Sequence, residues 1–96
     1  MRAVVVEDQA LFREFLVMVL AAKMGIDVVG TASDGPTALE VLAATRPDLV
    51  ILDILIPRLS GIRVARQFLD QRPDTRILAL SAEMDPKTVY QVHRLN

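Results

Sequence analysis

Short apolar runs recur along the chain at nearly regular intervals. Ala3-Val4-Val5-Val6 and Leu49-Val50-Ile51-Leu52 are rich in Val, Ile and Leu and lack polar alternation, as expected for parallel strands buried on both faces. Ile26 to Thr31 and Ile77 to Ser81 read as two further strands. Between the first two, Leu11, Phe15, Met18 and Ala22 repeat at helical spacing and predict a helix from Gln9 or Ala10 to about Lys23, with an unusually apolar outer face. Asp34-Gly35-Pro36 marks the next helix start, with Asp34 as cap and Pro36 in the first turn. That helix turns Ala38, Leu39 and Leu42 inward and ends before Arg46-Pro47. Pro57, Ser60 and Gly61 form a loop into a helix from about Ile62 to Leu69, capped by Ser60. Arg72-Pro73-Asp74 breaks the chain, and Asp85-Pro86 opens a last helix that runs to the end. The pattern amounts to four β/α units. Right-handed crossovers covering both faces then predict a doubly wound, flavodoxin-like α/β sheet with strand order 2-1-3-4.

Composition narrows the classes. With 96 residues the chain is at most one domain, and 52% hydrophobic with 24% charged residues fits a compact core rather than a disordered tail. A net charge of -1 and scattered Arg and Lys give no general attraction to nucleic acid. The chain has no Cys, hence no disulfide frame or thiolate chemistry, which suits the cytoplasm. Its longest apolar stretch, Phe15 to Ala22, is closed by Glu14 and Lys23 and falls far short of the roughly 20 residues that span a bilayer.

The chemistry gathers at the strand ends. Glu7 and Asp8 follow the first apolar run and Asp53 ends the third strand, so the sheet places three carboxylates beyond the carboxyl ends of its strands, where ligands bind in such folds. Hard oxygen ligands without His or Cys select Mg²⁺, Mn²⁺ or Ca²⁺ over Zn²⁺. Without a metal, two unit charges about 4 Å apart repel by roughly 4 kcal/mol at an effective dielectric near 20, so one carboxylate is driven to take up a proton. A divalent cation removes that penalty and lets Asp53 meet a phosphodianion as nucleophile. The plainer role for any one of these acids is helix cap or solvated charge, and Glu7-Asp8 could serve the following helix in that way.

Glu7-Asp8, Asp53, the stretch Asp53-Ile54-Leu55-Ile56-Pro57-Arg58-Leu59-Ser60-Gly61, and Ser81-Ala82 at the end of the fourth strand together resemble a response-regulator receiver domain of two-component signalling. The likeness covers residues 1–96 as one receiver domain. Ile56 stands where the family usually has Met. Glu7-Asp8-Gln9-Ala10-Leu11-Phe12-Arg13 is similar to the subfamily whose receivers precede a helix-turn-helix DNA-binding domain. The resemblance implies that Asp53 accepts phosphate from a histidine kinase, that Asp8, Asp53 and the backbone carbonyl of Leu55 bind Mg²⁺ (or Mn²⁺) directly, and that Glu7 acts through water. It implies too that Ser81 hydrogen-bonds the phosphoryl group and moves with it, that Leu55 and Glu83 flank the hydrolytic water, and that self-phosphorylation and slow self-dephosphorylation are the only catalysis.

One departure is large. Receivers have five β/α units, the fifth strand ending in a Lys that pairs with the phosphoryl oxygens; this sequence stops at Asn96, and neither Lys23 nor Lys87 can replace it. Its aromatic switch residue is absent as well, and Tyr90 reads as helical. The expectation is a receiver incomplete at its C-terminus, or one whose missing unit a partner supplies, with the fourth strand as a free edge that drives homodimerisation. His93 reads as a surface or interface residue. Two other classes fit poorly. A haloacid-dehalogenase-type phosphatase needs a second Asp where Leu55 stands, and in a nucleotide binder Glu7-Asp8 would repel the phosphate. A receiver-fold interaction module that is never phosphorylated, for want of the Lys, is the nearer alternative.

Overall fold

The computed structural model describes residues 1–53, 58, 60–82 and 90–94, with positions 62, 80–82 and 90–94 described through the backbone alone. The elements run β1 (Arg2–Val6), α1 (Ala10–Met24), β2 (Asp27–Ala32), α2 (Gly35–Thr45), β3 (Leu49–Asp53), α3 (Gly61–Gln71), β4 (Arg76–Ala82) and β5 (Tyr90–Arg94). The sheet order is β2-β1-β3-β4-β5, its first four strands parallel and β5 antiparallel to β4. The doubly wound, flavodoxin-like arrangement expected from the alternating runs is therefore present.

Each side of the sheet takes alternate residues, because successive side chains of a strand point to opposite faces. Val4, Val6, Val50, Leu52 and Ile77 pack with Ala38 and Leu42 of α2 and with Val64 and Phe68 of α3. Ala3, Val5, Leu49 and Ile51 pack on the other side with Leu20 of α1. β1 is buried from Ala3 to Val6, which is why it reads as an unbroken apolar run. Burying one Val, Leu, Ile or Phe side chain fully stabilises by about 1.5–3 kcal/mol, so these two layers supply the main driving force.

Local signals set the element ends. Asp34 accepts a hydrogen bond from Thr37 N at 2.8 Å and Ser60 Oγ one from Arg63 N at 3.3 Å, so both expected caps are made. α1 ends at Gly25, whose φ of 64° is the left-handed conformation that glycine adopts without steric cost. β2 begins and ends one residue later than the expected span and carries an irregularity opposite Ala3 and Val4, where the pairing skips Val29. Gly30 lies there because α2 comes close: a Cβ on it would sit 2.7 Å from Val41 Cγ1.

The last helix is corrected. Residues 90–94, expected to be helical, form β5 along the outer edge of β4, with Leu80 opposite Val92 and Ala82 opposite Tyr90. An unpaired β4 would leave a row of backbone N–H and C=O groups open, and Tyr-Gln-Val-His-Arg, alternating and rich in strand formers, supplies their partners. The expected helix start, Asp85-Pro86, lies outside the described residues. The described chain thus holds three β/α units and a fourth strand with an antiparallel return, and Tyr90 and His93 belong to β5. The edge of β4 that was expected to drive dimerisation is occupied.

Candidate metal centre

Parallel pairing brings the acids together. β1 and β3 run in register, Val6 opposite Leu52, so the residues that follow each strand emerge side by side. Glu7, Asp8 and Asp53 each offer a carboxylate oxygen, and these atoms all lie within 4.8 Å of one another. Glu7 N donates to Ala32 O at 3.0 Å, tying this corner to β2 as well. Asp53 lies opposite Leu80 of β4, which places Ser81 one residue further along that strand. The side chain of Ser81, together with Leu55, Pro57 and Glu83, lies outside what the structure describes.

The three acids differ in environment. Glu7 is 1% exposed, Asp53 is half-buried and Asp8 faces solvent. Burial pushes the Glu7 carboxyl up to about 8; the nearby carboxyls of Asp53 and Asp8 add to the rise, while the N–H that Gln9 donates to Oε1 at 3.1 Å works against it. Glu7 Oε2 is buried without a hydrogen-bond partner among the described residues. An orphaned buried carboxylate oxygen is costly, and a proton or a cation relieves it. Three hard oxygen donors thus converge, one of them unsatisfied among the described residues, a set that suits Mg²⁺ or Mn²⁺.

Two features had no signal in the sequence pattern. Arg13 Nη1 donates to Glu7 O at 2.8 Å, so a side chain from the first turn of α1 fixes the backbone that carries the acidic pair. Asp34, besides capping α2, meets Arg58 Nη1 at 3.5 Å and thereby links α2 to the loop beyond β3. The Thr37 backbone N–H is the main reason the Asp34 carboxyl lies below its usual range, with Arg58 contributing less.

The chain matches the model of the response regulator receiver domain over residues 3–96. It is 41% identical over 90 residues to a probable transcriptional regulatory protein NarL of Mycobacterium tuberculosis, a match covering 94% of this chain and 42% of that protein. It is also 38% identical over 93 residues to a protein-glutamate methylesterase/protein-glutamine glutaminase of Geobacter metallireducens, covering 97% of this chain and 26% of that protein. The chain therefore spans less than half the length of these relatives, and the methylesterase name describes a protein of which only a quarter is shared. Among solved structures, the signal receiver domain of the putative response regulator NarL of M. tuberculosis superposes with a TM-score of 0.80 at 40% identity, covering 88% of this chain and 68% of that one. The response regulator domain of Thermotoga maritima CheB does so with 0.77 at 29%, covering 93% and 66%. The chain belongs to the response-regulator receiver domain family.

Proposed function

We propose that this chain is the phosphoacceptor module of a two-component response regulator, with Asp53 taking a phosphoryl group from a histidine kinase. The convergence of Glu7, Asp8 and Asp53 within 4.8 Å is the observation that carries the reading. Asp8 and Asp53 would hold Mg²⁺, or Mn²⁺, through their carboxylates, the Leu55 carbonyl would complete the protein ligands and Glu7 would act through water. When bound, the cation neutralises carboxylate charge and the charge that develops on phosphoryl oxygens. An Asp53 oxygen forms the bond to phosphorus while the bond from phosphorus to the donor imidazole breaks, the imidazole leaving with the electron pair and taking a proton. Glu7, buried beside Asp53, carries a proton while no cation is present and so limits mutual repulsion. Ser81, at the end of β4, would donate its hydroxyl to the phosphoryl group and draw the segment beyond β4 with it.

Relatives named as transcriptional regulatory proteins support an output in transcription within a longer protein; that this output is a helix-turn-helix DNA-binding domain, acting in the cytoplasm, is inferred from the sequence resemblance alone. The chain itself acts as a switch rather than a turnover enzyme. Incubation with acetyl phosphate and Mg²⁺ should produce a hydroxylamine-labile adduct that Asp53→Asn abolishes. An adduct that survives Asp53→Asn would remove Asp53 from the role.

A second reading is a receiver-fold interaction module that is not phosphorylated. It is favoured by the strand beside β4, which runs antiparallel and contains no Lys. Titration with beryllofluoride separates the two readings: a phosphoacceptor shows saturable, Mg²⁺-dependent chemical-shift changes at Ser81, and an interaction module shows none.

A further inference from the structure

α1 opens against the usual rules for a helix start. Its cap, Gln9, makes no side-chain hydrogen bond and its first turn holds no acid, whereas Asp34 and Ser60 cap α2 and α3 with their side chains. The fourth residue is Arg13, a cation near the positive end of the helix dipole, where positive charge is disfavoured. Nothing along the helix answers it. Gln9, Ala10, Leu16 and Val17 occupy the positions three and four residues away, and none of them is an acid. Three carboxylates lie just beyond the helix start, yet among the described residues the guanidinium bonds none of them, and Nη1 donates to the Glu7 carbonyl at 2.8 Å instead. An element that breaks its local rules at one end commonly does so for a site.

The carbonyl bond closes a frame around Asp8. Before it, Glu7 N donates to Ala32 O at 3.0 Å and Glu7 O accepts from Arg13, so both backbone groups of that residue are held. After it, Gln9 N donates to Glu7 Oε1 at 3.1 Å and Gln9 O accepts from Arg13 N at 2.9 Å. Arg13 thus stands on both sides of Asp8. The Glu7 C=O and the Asp8 N–H share one planar peptide, so a charge-assisted bond to the carbonyl narrows the directions in which the exposed Asp8 side chain can leave the backbone.

We propose that Arg13 is a positioning residue that holds Asp8 for a cation of strict geometry and so sets a preference for Mg²⁺ over Ca²⁺. The inference rests on the metal reading of the acidic corner. Mg²⁺ demands near-octahedral ligands at about 2.0–2.1 Å, whereas Ca²⁺ accepts about six to eight oxygens in a flexible shell at about 2.3–2.6 Å. A loosened Asp8 therefore costs Mg²⁺ more. The charge of Arg13 acts the other way, since a guanidinium near the carboxylates repels any cation. Positioning and repulsion predict changes of opposite sign when the side chain is removed.

Calorimetric titration of the intact chain with MgCl₂ and with CaCl₂ decides between them. Arg13→Met, which keeps an apolar stem and loses the charge and the donors, should bind Mg²⁺ about tenfold more weakly and Ca²⁺ less than about threefold more weakly. Arg13→Gln, neutral and shorter, should behave likewise, and it carries the test if Arg13→Met does not keep the wild-type circular dichroism spectrum. Arg13→Lys restores the charge and a donor and should recover most of the Mg²⁺ preference. A loss shared equally by both cations, tighter Mg²⁺ binding in the neutral variants, or an Arg13→Lys protein as weak as Arg13→Met overturns the proposal and leaves the metal reading intact. A wild type that binds neither cation overturns both.

Discussion

On the α2/α3 side of the sheet, Leu52 and Val64 are wholly buried and Leu42 is 1% exposed, whereas across the sheet Leu16, Val17 and Leu78 remain only partly covered. The strands themselves are alike: Val4 and Val5, neighbours in sequence on opposite faces, are both fully buried. What differs among the described residues is that two helices, α2 and α3, cover one face and α1 the other. The strand residues that shape the acidic corner belong to both layers, because β1 and β3 are common to them. The difference teaches that the acidic corner depends on strands shared by both layers, whereas the packing around those strands is tighter on the α2/α3 side among the described residues.

The largest effect should come from the closed face. Leu52→Ala or Leu42→Ala leaves a cavity that packed surroundings fill poorly, at a cost of about 2–5 kcal/mol. Leu78→Ala, on the open and partly covered side, should cost less than half as much in the monomer. Urea denaturation of both variants in dilute solution measures the ratio, and equal costs would abolish the asymmetry.

Metal linkage comes next. At 100 times its dissociation constant, Mg²⁺ should add about 2.7 kcal/mol to the wild type, and Asp8→Asn should lose most of that. Asp53→Asn, which removes one of three crowded carboxylates, should raise the melting temperature in EDTA and gain little from Mg²⁺. A wild type whose melting point ignores Mg²⁺ would dissolve the shared site.

The third effect is pH dependence in EDTA. Folded Glu7 keeps its proton up to about 8, whereas the unfolded chain releases it near 4.5. Between those values the folded state binds more protons, so this group's contribution is fully present below about 4.5 and is lost as pH rises towards 8. Glu7→Gln should flatten that slope while leaving closed-face variants as costly as before. Thermal melts across pH 4 to 9 in both backgrounds give the comparison, and a slope unchanged by Glu7→Gln places its origin elsewhere.

What the residues revealed in advance follows the range of the forces involved. β1 and β3 were legible because strands buried on both faces must be apolar throughout, and the Asp34 and Ser60 caps because capping acts within three residues. The acidic cluster was legible from the rule that parallel strands gather their ends, and the cluster of Glu7, Asp8 and Asp53 bears that out. β5 was not legible. Five alternating residues are too few to choose between helix and strand, and the choice fell to the edge of β4, a partner distant in sequence. Nor could any spacing show that Glu7 Oε1 meets the Gln9 N–H while Oε2 has no hydrogen-bond partner among the described residues, or that Arg13 reaches back to the Glu7 carbonyl. Those contacts depend on side-chain placement within a formed corner.

The smallest effects lie at the entrance to α3, and they sharpen the comparison from its closed side. Ser60→Ala removes the oxygen that accepts from Arg63 N, so one backbone donor of the first turn loses its partner at a cost of about 1 kcal/mol. Arg58→Ala removes an ion pair whose arginine is 68% exposed and whose distance is 3.5 Å, a geometry worth little in water. Arg58 also has a φ of 75°, a left-handed conformation that Arg and Ala both adopt at a cost, so Arg58→Gly should stabilise relative to Arg58→Ala even though both lose the ion pair. Since Val64 and Phe68 tie α3 into the closed layer, fraying from Ser60→Ala should stop within the first turn. Amide exchange should therefore quicken at Arg63 and Val64 in Ser60→Ala and stay unchanged at Phe68. Faster exchange extending to Phe68 would mean that the closed face is held less firmly than its burial implies.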